Sequence, residues 1–149
     1  MMKKMMMSIV SGLSVLALSG CGGGSSDAGP IYDTYFITDS SGLGVENIVY
    51  YCDSGIQGIT DLAGAFDFDA YGDTCDFDLV TNSIVGDLYL ESDADPSTDA
   101  GINGVEFDCV EVDPNVIVSG VTREDPLLGI NGYIDDVTPY TECTLYNLP

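Results

Sequence analysis

Two stretches decide the fold, and they read as copies of one another. The first begins DTYFITDSSGLGVENIVYYC (residues 33–52), continues through GITDLAGAFDFD (58–69) and ends in YGDTCDFDL (71–79). The second runs GDLYLESD (86–93), AGINGVEFDC (100–109), SGVTRED (119–125), GINGYIDD (129–136) and YTECTLYNL (140–148). In each, an alternating polar–apolar run leads to a Gly-rich turn and a run that closes on a cysteine. A Gly-Ile-Thr or Gly-Val-Thr follows, then a Gly-aromatic run, then a second cysteine inside another alternating run. Alternation with period two is the signature of half-buried strands. Residues 65–70 put Phe66 and Phe68 on one face with Asp67 and Asp69 on the other, and 76–80 repeat this with Phe77 and Leu79 against Asp76 and Asp78.

Strands are expected at 34–38, 48–52, 65–70, 76–80, 84–91, 104–112, 116–121, 132–134 and 143–146, separated by Gly, Asp and Ser turn clusters. No window downstream of the leader carries a helical period. The fold class expected is all-β: a Greek-key-like β-sandwich built from two diverged repeats, 31–85 and 86–149, each with one disulfide. Either repeat offers only about four strands and would bury little alone, so the two are expected to pack as one compact body.

Composition narrows the chemistry. The 149 residues hold 25 acidic side chains against three basic ones, with no histidine and no tryptophan. A hydrophobic share of 45% is enough for a core despite the charge. Of the three cations, Lys3 and Lys4 precede an uncharged apolar run, 5–18, about the length of a signal h-region and shorter than a spanning helix. Residues 1–20 are therefore expected to be a leader. Without them, 25 acidic residues face Arg123 alone, a side-chain charge of −24. Such a surface repels nucleic acid and anionic membrane, and leaves cations, basic peptides or an envelope protein as partners.

The leader ends in Leu18-Ser19-Gly20-Cys21, which resembles the lipobox of bacterial lipoproteins. The resemblance implies that Cys21 becomes the first mature residue and carries a thioether-linked diacylglycerol and an N-acyl chain. Gly22-Gly23-Gly24-Ser25-Ser26 within 21–30 then reads as a flexible tether, and two or more acyl chains suffice for stable attachment. Gly22 stands where an aspartate commonly retains lipoproteins in the inner membrane. The expected location is thus the cell envelope of a diderm bacterium, lipid-anchored, at the outer membrane.

With Cys21 assigned to lipid, Cys52, Cys75, Cys109 and Cys143 remain, an even number in an exported and oxidising context. Three pairings are possible, and the repeat favours Cys52–Cys75 with Cys109–Cys143. Zinc is disfavoured because paired CxxC spacing and histidine are both missing.

The segment carrying Gly44-Val45, Gly58, Thr60-Asp61, Gly64 and Phe66 resembles the carboxypeptidase regulatory-like and transthyretin-like β-sandwich modules. The resemblance implies a tight loop in which Asp61 accepts backbone N–H bonds and Gly64 takes a positive φ, with Phe66 opening an inward-facing strand. The second copy matches less well, since Thr122 is followed by Arg123-Glu124. Members of that family are mostly non-catalytic binding, spacer or folding-support modules.

If 65–70 and 75–80 form a hairpin around Tyr71-Gly72-Asp73-Thr74, then Asp67 and Asp69 face Asp78 and Asp76, with Asp73 at the turn. Like charges directly opposite destabilise a sheet, and a calcium ion would relieve them. The alternative is a solvated acidic face. No resident cofactor is expected beyond this possible calcium. Asp93, Asp95 and Asp99 do not make an EF-hand, because Thr98 occupies the glycine position and Pro96 intrudes. The chain is read as no enzyme but a non-enzymatic binding or structural module of the envelope. The alternatives are a calcium-dependent adhesion or binding module and, further off, a small carboxylate-dependent hydrolase.

Overall fold

Alternating aromatic and acidic residues give each strand one face that must leave water, and two such sheets satisfy one another. The computed structural model describes residues 31–81, 83–93, 95 and 99–149; the expected leader 1–20 and expected tether 21–30, with Cys21, lie outside the described residues. Among the described residues, ten strands follow in order: β1 (Tyr32–Thr38), β2 (Val49–Cys52), β3 (Gln57–Ile59), β4 (Ala65–Asp69), β5 (Asp73–Asp78), β6 (Leu88–Glu91), β7 (Glu106–Glu111), β8 (Ile117–Val121), β9 (Tyr133–Ile134) and β10 (Tyr140–Leu148). They form a four-stranded sheet, β4-β1-β6-β9, and a six-stranded sheet, β3-β2-β5-β10-β7-β8. Every pairing is antiparallel. The all-β sandwich with one disulfide in each half is what the alternation and the cysteine count predict. The three-residue strand β3 was not among the expected strands, because Gln57-Gly58-Ile59 is too short to show a period.

Both sheet orders are symmetric by copy. The first copy supplies β4-β1 and β3-β2-β5; the second supplies β6-β9 and β10-β7-β8, joined in mirror order. The registers make the relation two-fold. In the smaller sheet Ile37 pairs with Leu90, flanked by Phe36–Glu91 and Thr38–Tyr89. In the larger, Asp76 pairs with Thr144, flanked by Phe77–Cys143 and Cys75–Leu145. Residues 31–149 accordingly form one compact unit, with core residues drawn from both sheets and both copies. Aromatic contacts bridge the layers: Phe66 of β4 lies edge-on to Phe77 of β5 at 4.9 Å between ring centroids, a preferred geometry for such pairs.

The Gly-x-Thr motif explains why the copies share a backbone. Thr60 Oγ donates to the Val45 carbonyl at 2.8 Å and accepts the Ile48 N–H at 2.9 Å. Thr122 Oγ donates to the Ile102 carbonyl at 2.7 Å and accepts the Val105 N–H at 2.9 Å. Each buried hydroxyl thus satisfies one donor and one acceptor of the strand entry, groups that would otherwise be costly to bury. Two residues earlier, Gly58 and Gly120 leave room for the rings of Tyr50 and Phe107; a Cβ would stand 2.8 and 2.5 Å from them. The Thr-Asp-x-x-Gly loop behaves as its residues suggest. Asp61 Oδ1 accepts the N–H groups of Ala63 and Ala65, Gly64 has φ 78°, and Phe66 is buried.

The disulfides join Cys52 to Cys75 and Cys109 to Cys143. In both, the cysteines are direct cross-strand partners on the inner face, with Cα atoms 4.0 and 4.1 Å apart. Such close spacing belongs to pairs that exchange no backbone hydrogen bonds.

The expected hairpin between 65–70 and 75–80 does not form. Strand β4 pairs with β1 in the smaller sheet and β5 with β2 and β10 in the larger. The physical reason is the aromatic face. Side by side, Phe66, Phe68 and Phe77 would cover one face of a ribbon; split between sheets, they close on each other from both sides of the core. The turn between Asp69 and Asp73 carries the chain across the sandwich edge.

Candidate functional site

Because β4 and β5 lie in different sheets, the five aspartates Asp67, Asp69, Asp73, Asp76 and Asp78 are not brought together as opposing rows. Asp67 faces out from the smaller sheet and accepts the Thr34 hydroxyl at 2.6 Å. Asp69 accepts the Tyr71 N–H at 3.0 Å. Asp76 faces out from the larger sheet and accepts the Thr144 hydroxyl at 2.5 Å. Asp78 caps the following turn, taking the Val80 and Thr81 N–H groups and the Thr81 hydroxyl; bonds led by that hydroxyl hold its carboxyl below the usual range. Asp67 and Asp76 therefore tie their strand to its neighbour in the sheet, and Asp69 and Asp78 serve their own turns.

Asp73 is different, being only 4% exposed. Its carboxylate accepts the Ser54 hydroxyl at 2.5 Å and N–H groups of Ser54, Asp69 and Thr74 at 3.1, 2.9 and 3.0 Å. Burial pushes this carboxyl up, but the four bonds, led by the Ser54 hydroxyl, outweigh it and hold the pKa below the ordinary aspartate value. The Cys52 and Cys75 sulfurs lie within 4.8 Å of it. They are bonded to each other, so neither is a thiolate ligand. Asp73 clamps the β2–β3 turn to the β4–β5 corner.

The second copy places its own buried carboxylate elsewhere. Asp125 accepts the Tyr89 hydroxyl at 2.6 Å and the Leu127 and Leu128 N–H groups at 2.7 and 3.2 Å. These bonds, the tyrosine's first, hold its pKa below the usual range. Burial and then the Asp125 bond push the Tyr89 hydroxyl well above its ordinary value. Arg123 lies over the Tyr133 ring, 5.7 Å from its centroid. Glu91 is buried beside Asp99 and Asp93; burial first, and then those two charges, raise its pKa.

The four sheet edges are finished in different ways. On β4, the N–H groups that point away from β1 are taken by side chains: Ala65 by Asp61, Asp67 by the Tyr50 hydroxyl and Asp69 by Asp73. On β9, Tyr133 exchanges backbone bonds with Arg123. Strand β3 is three residues long. Strand β8, Ile117–Val121, has five residues, no charge, no proline and an unbroken register with β7.

Beside β8 the outer face of the larger sheet forms an open groove of about 570 Å³, lined by Glu106, Phe107, Asp108, Ser119, Gly120, Val121, Tyr146 and Asn147. Asp108 sits at its centre. It accepts the Ser119 hydroxyl at 2.5 Å from β8 and the Tyr146 hydroxyl at 2.9 Å from β10. These two bonds, Ser119's first, hold its carboxyl below the usual range, so the groove carries a fixed negative charge at neutral pH. Sequence reading did not single out Asp108, Ser119 or Tyr146, since they meet only through the β10-β7-β8 register. The available hint was alternation, which sends all three outward. Comparison with protein-family models, curated proteins and solved structures found no match to this chain.

Proposed function

We propose that the protein is a non-enzymatic module anchored by lipid at the bacterial cell envelope, binding or spacing there through its folded body. The observation that carries this reading is the pair of cross-strand disulfides, one in each copy, both on the core face. Disulfides of this kind persist in oxidising compartments outside the cytosol, which is where the Leu18-Ser19-Gly20-Cys21 string and the apolar leader would deliver the chain. The buried polar groups also favour a structural role: Thr60, Thr122, Asp73 and Asp125 each serve backbone or neighbouring hydroxyl groups of the sandwich. The likeness of residues 31–80 to carboxypeptidase regulatory-like modules supports the same reading at the level of fold analogy.

The test is lipidation. Cells expressing the full chain are fed labelled palmitate and fractionated, alongside a Cys21→Ser variant. The reading predicts label on the wild type in the membrane fraction and loss of both label and membrane association in the variant. An unlabelled, soluble wild-type chain would contradict it.

A further inference from the structure

The parity of the β8 hydrogen bonds shows what the edge offers. Thr122 N–H donates to Val105 and Glu111 N–H to Val116, which fixes residues 116, 118, 120 and 122 as the set facing β7. Ile117, Ser119 and Val121 therefore direct their N–H and C=O groups away from the sheet. Among the described residues, no hydrogen bond reaches those backbone groups. Natural sheets usually blunt such an edge with a charge, a proline, a bulge or a covering side chain. The smaller sheet does so on both edges, as Asp61, Tyr50, Asp73 and Arg123 show. The edge of β8 has none of these devices.

We propose that β8 is a docking edge for an extended peptide segment bearing basic side chains, which adds to the six-stranded sheet as a seventh strand. This deepens the binding-module reading above and rests on it. Main-chain bonds to Ile117, Ser119 and Val121 supply the pairing, and alternate side chains supply the selectivity. The selectivity is electrostatic. Asp108, one strand in from the free edge, has its carboxylate bonded to the Ser119 hydroxyl of β8 and the Tyr146 hydroxyl of β10, and Glu106 stands opposite Val121. A lysine or arginine beside Ser119 on the outer face meets that charge. A second copy of this chain is the poorer occupant. It would set two bodies of side-chain charge −24 against each other and stack their Glu106 and Asp108 side chains.

The experiment uses the full chain in detergent micelles and a decapeptide of alternating threonine and lysine, with amide NMR shifts as the readout. Expected are saturable shifts at Ile117, Ser119 and Val121. A peptide with glutamate in place of lysine should bind about tenfold or more weakly, the equivalent of about 1.4 kcal/mol. A lysine peptide N-methylated on its pairing face should lose binding to a similar degree. Ser119→Pro removes one outward N–H, together with the hydroxyl bonded to Asp108, without touching the β7 ladder and should also weaken binding about tenfold. Gln57→Pro on β3 should leave it unchanged. Equal binding of the methylated peptide would overturn the proposal, because that probe needs no variant to fold. Shifts centred on Asp76 and Glu142, or self-association abolished by Ser119→Pro in the absence of peptide, would overturn it too. Palmitate labelling is independent of this result: a lipidated chain that ignores the peptide sinks the edge alone, and a peptide-binding chain without lipid sinks the anchor alone.

Discussion

The two copies share a skeleton and differ at their corners. Ile37 and Leu90, Thr60 and Thr122, Gly64 and Gly132, and Cys75 and Cys143 occupy matching places. A tight backbone crossing repeats as well: a Cβ on Gly44 would stand 2.1 Å from the Ala63 carbonyl carbon, and one on Gly101 would stand 2.1 Å from the Asn131 carbonyl oxygen. Between Thr and Gly, however, the first copy spends four positions, Thr60 to Gly64, and the second spends ten, Thr122 to Gly132. The longer loop brings Asp125 onto Tyr89 and Arg123 onto Tyr133. The first copy instead buries Asp73, whose counterpart by cysteine alignment is Thr141, which donates to the Val110 carbonyl at 3.2 Å. The shared parts are the ones that satisfy buried backbone; the variable parts decide which edges are closed.

Asp73 gives the largest expected break in this comparison. Asp73→Ala removes the buried carboxylate that takes the Ser54 hydroxyl and three N–H groups and should cost about 2–4 kcal/mol in urea unfolding, whereas Thr141→Val should cost less than about 1 kcal/mol. Its pH signature follows from the lowered folded pKa. The stabilisation is present above the ordinary aspartate range and is lost as pH falls through the folded value. Glu91, with a raised pKa, acts in the opposite sense, destabilising as pH rises through its folded value. Thermal melting across the acid limb should therefore be less steep in Asp73→Asn than in the wild type. Similar slopes would show that Asp73 is not the clamp described.

A smaller and sharper test uses the pair that should behave alike. Thr60→Val and Thr122→Val each remove a hydroxyl that serves one buried N–H and one carbonyl. Each should cost about 1–3 kcal/mol, with the two values within roughly 0.5 kcal/mol of each other. A large loss at one site and none at the other would mean that the copies share sequence without sharing mechanics.

Much of this was legible in the chain. Period-two alternation in 65–70 and 76–80 gave the strands and their buried faces, and two cysteines per copy gave the pairing. The Thr-Asp-x-x-Gly string gave a tight loop with Asp61 as acceptor and Gly64 at positive φ. What failed was adjacency. A short turn between two alternating strands looks the same in sequence whether the strands pair or cross the sandwich, because both outcomes bury Phe66, Phe68 and Phe77. The calcium reading of the five aspartates depended on that choice. The Asp108–Ser119–Tyr146 groove was hidden for a related reason: its members lie 11 and 38 residues apart, and only the sheet register brings them together.

The central claim is that two copies complete one sandwich around a two-fold relation, so neither should open alone. Native-state hydrogen exchange on the oxidised chain measures this directly. The amides of the inner strands β1, β5, β6 and β10 should exchange in one cooperative class, with similar opening free energies on both sides of the Ile37–Leu90 and Asp76–Thr144 pairs. Two classes divided by copy, with β1 and β5 opening at one free energy and β6 and β10 at another, would contradict it.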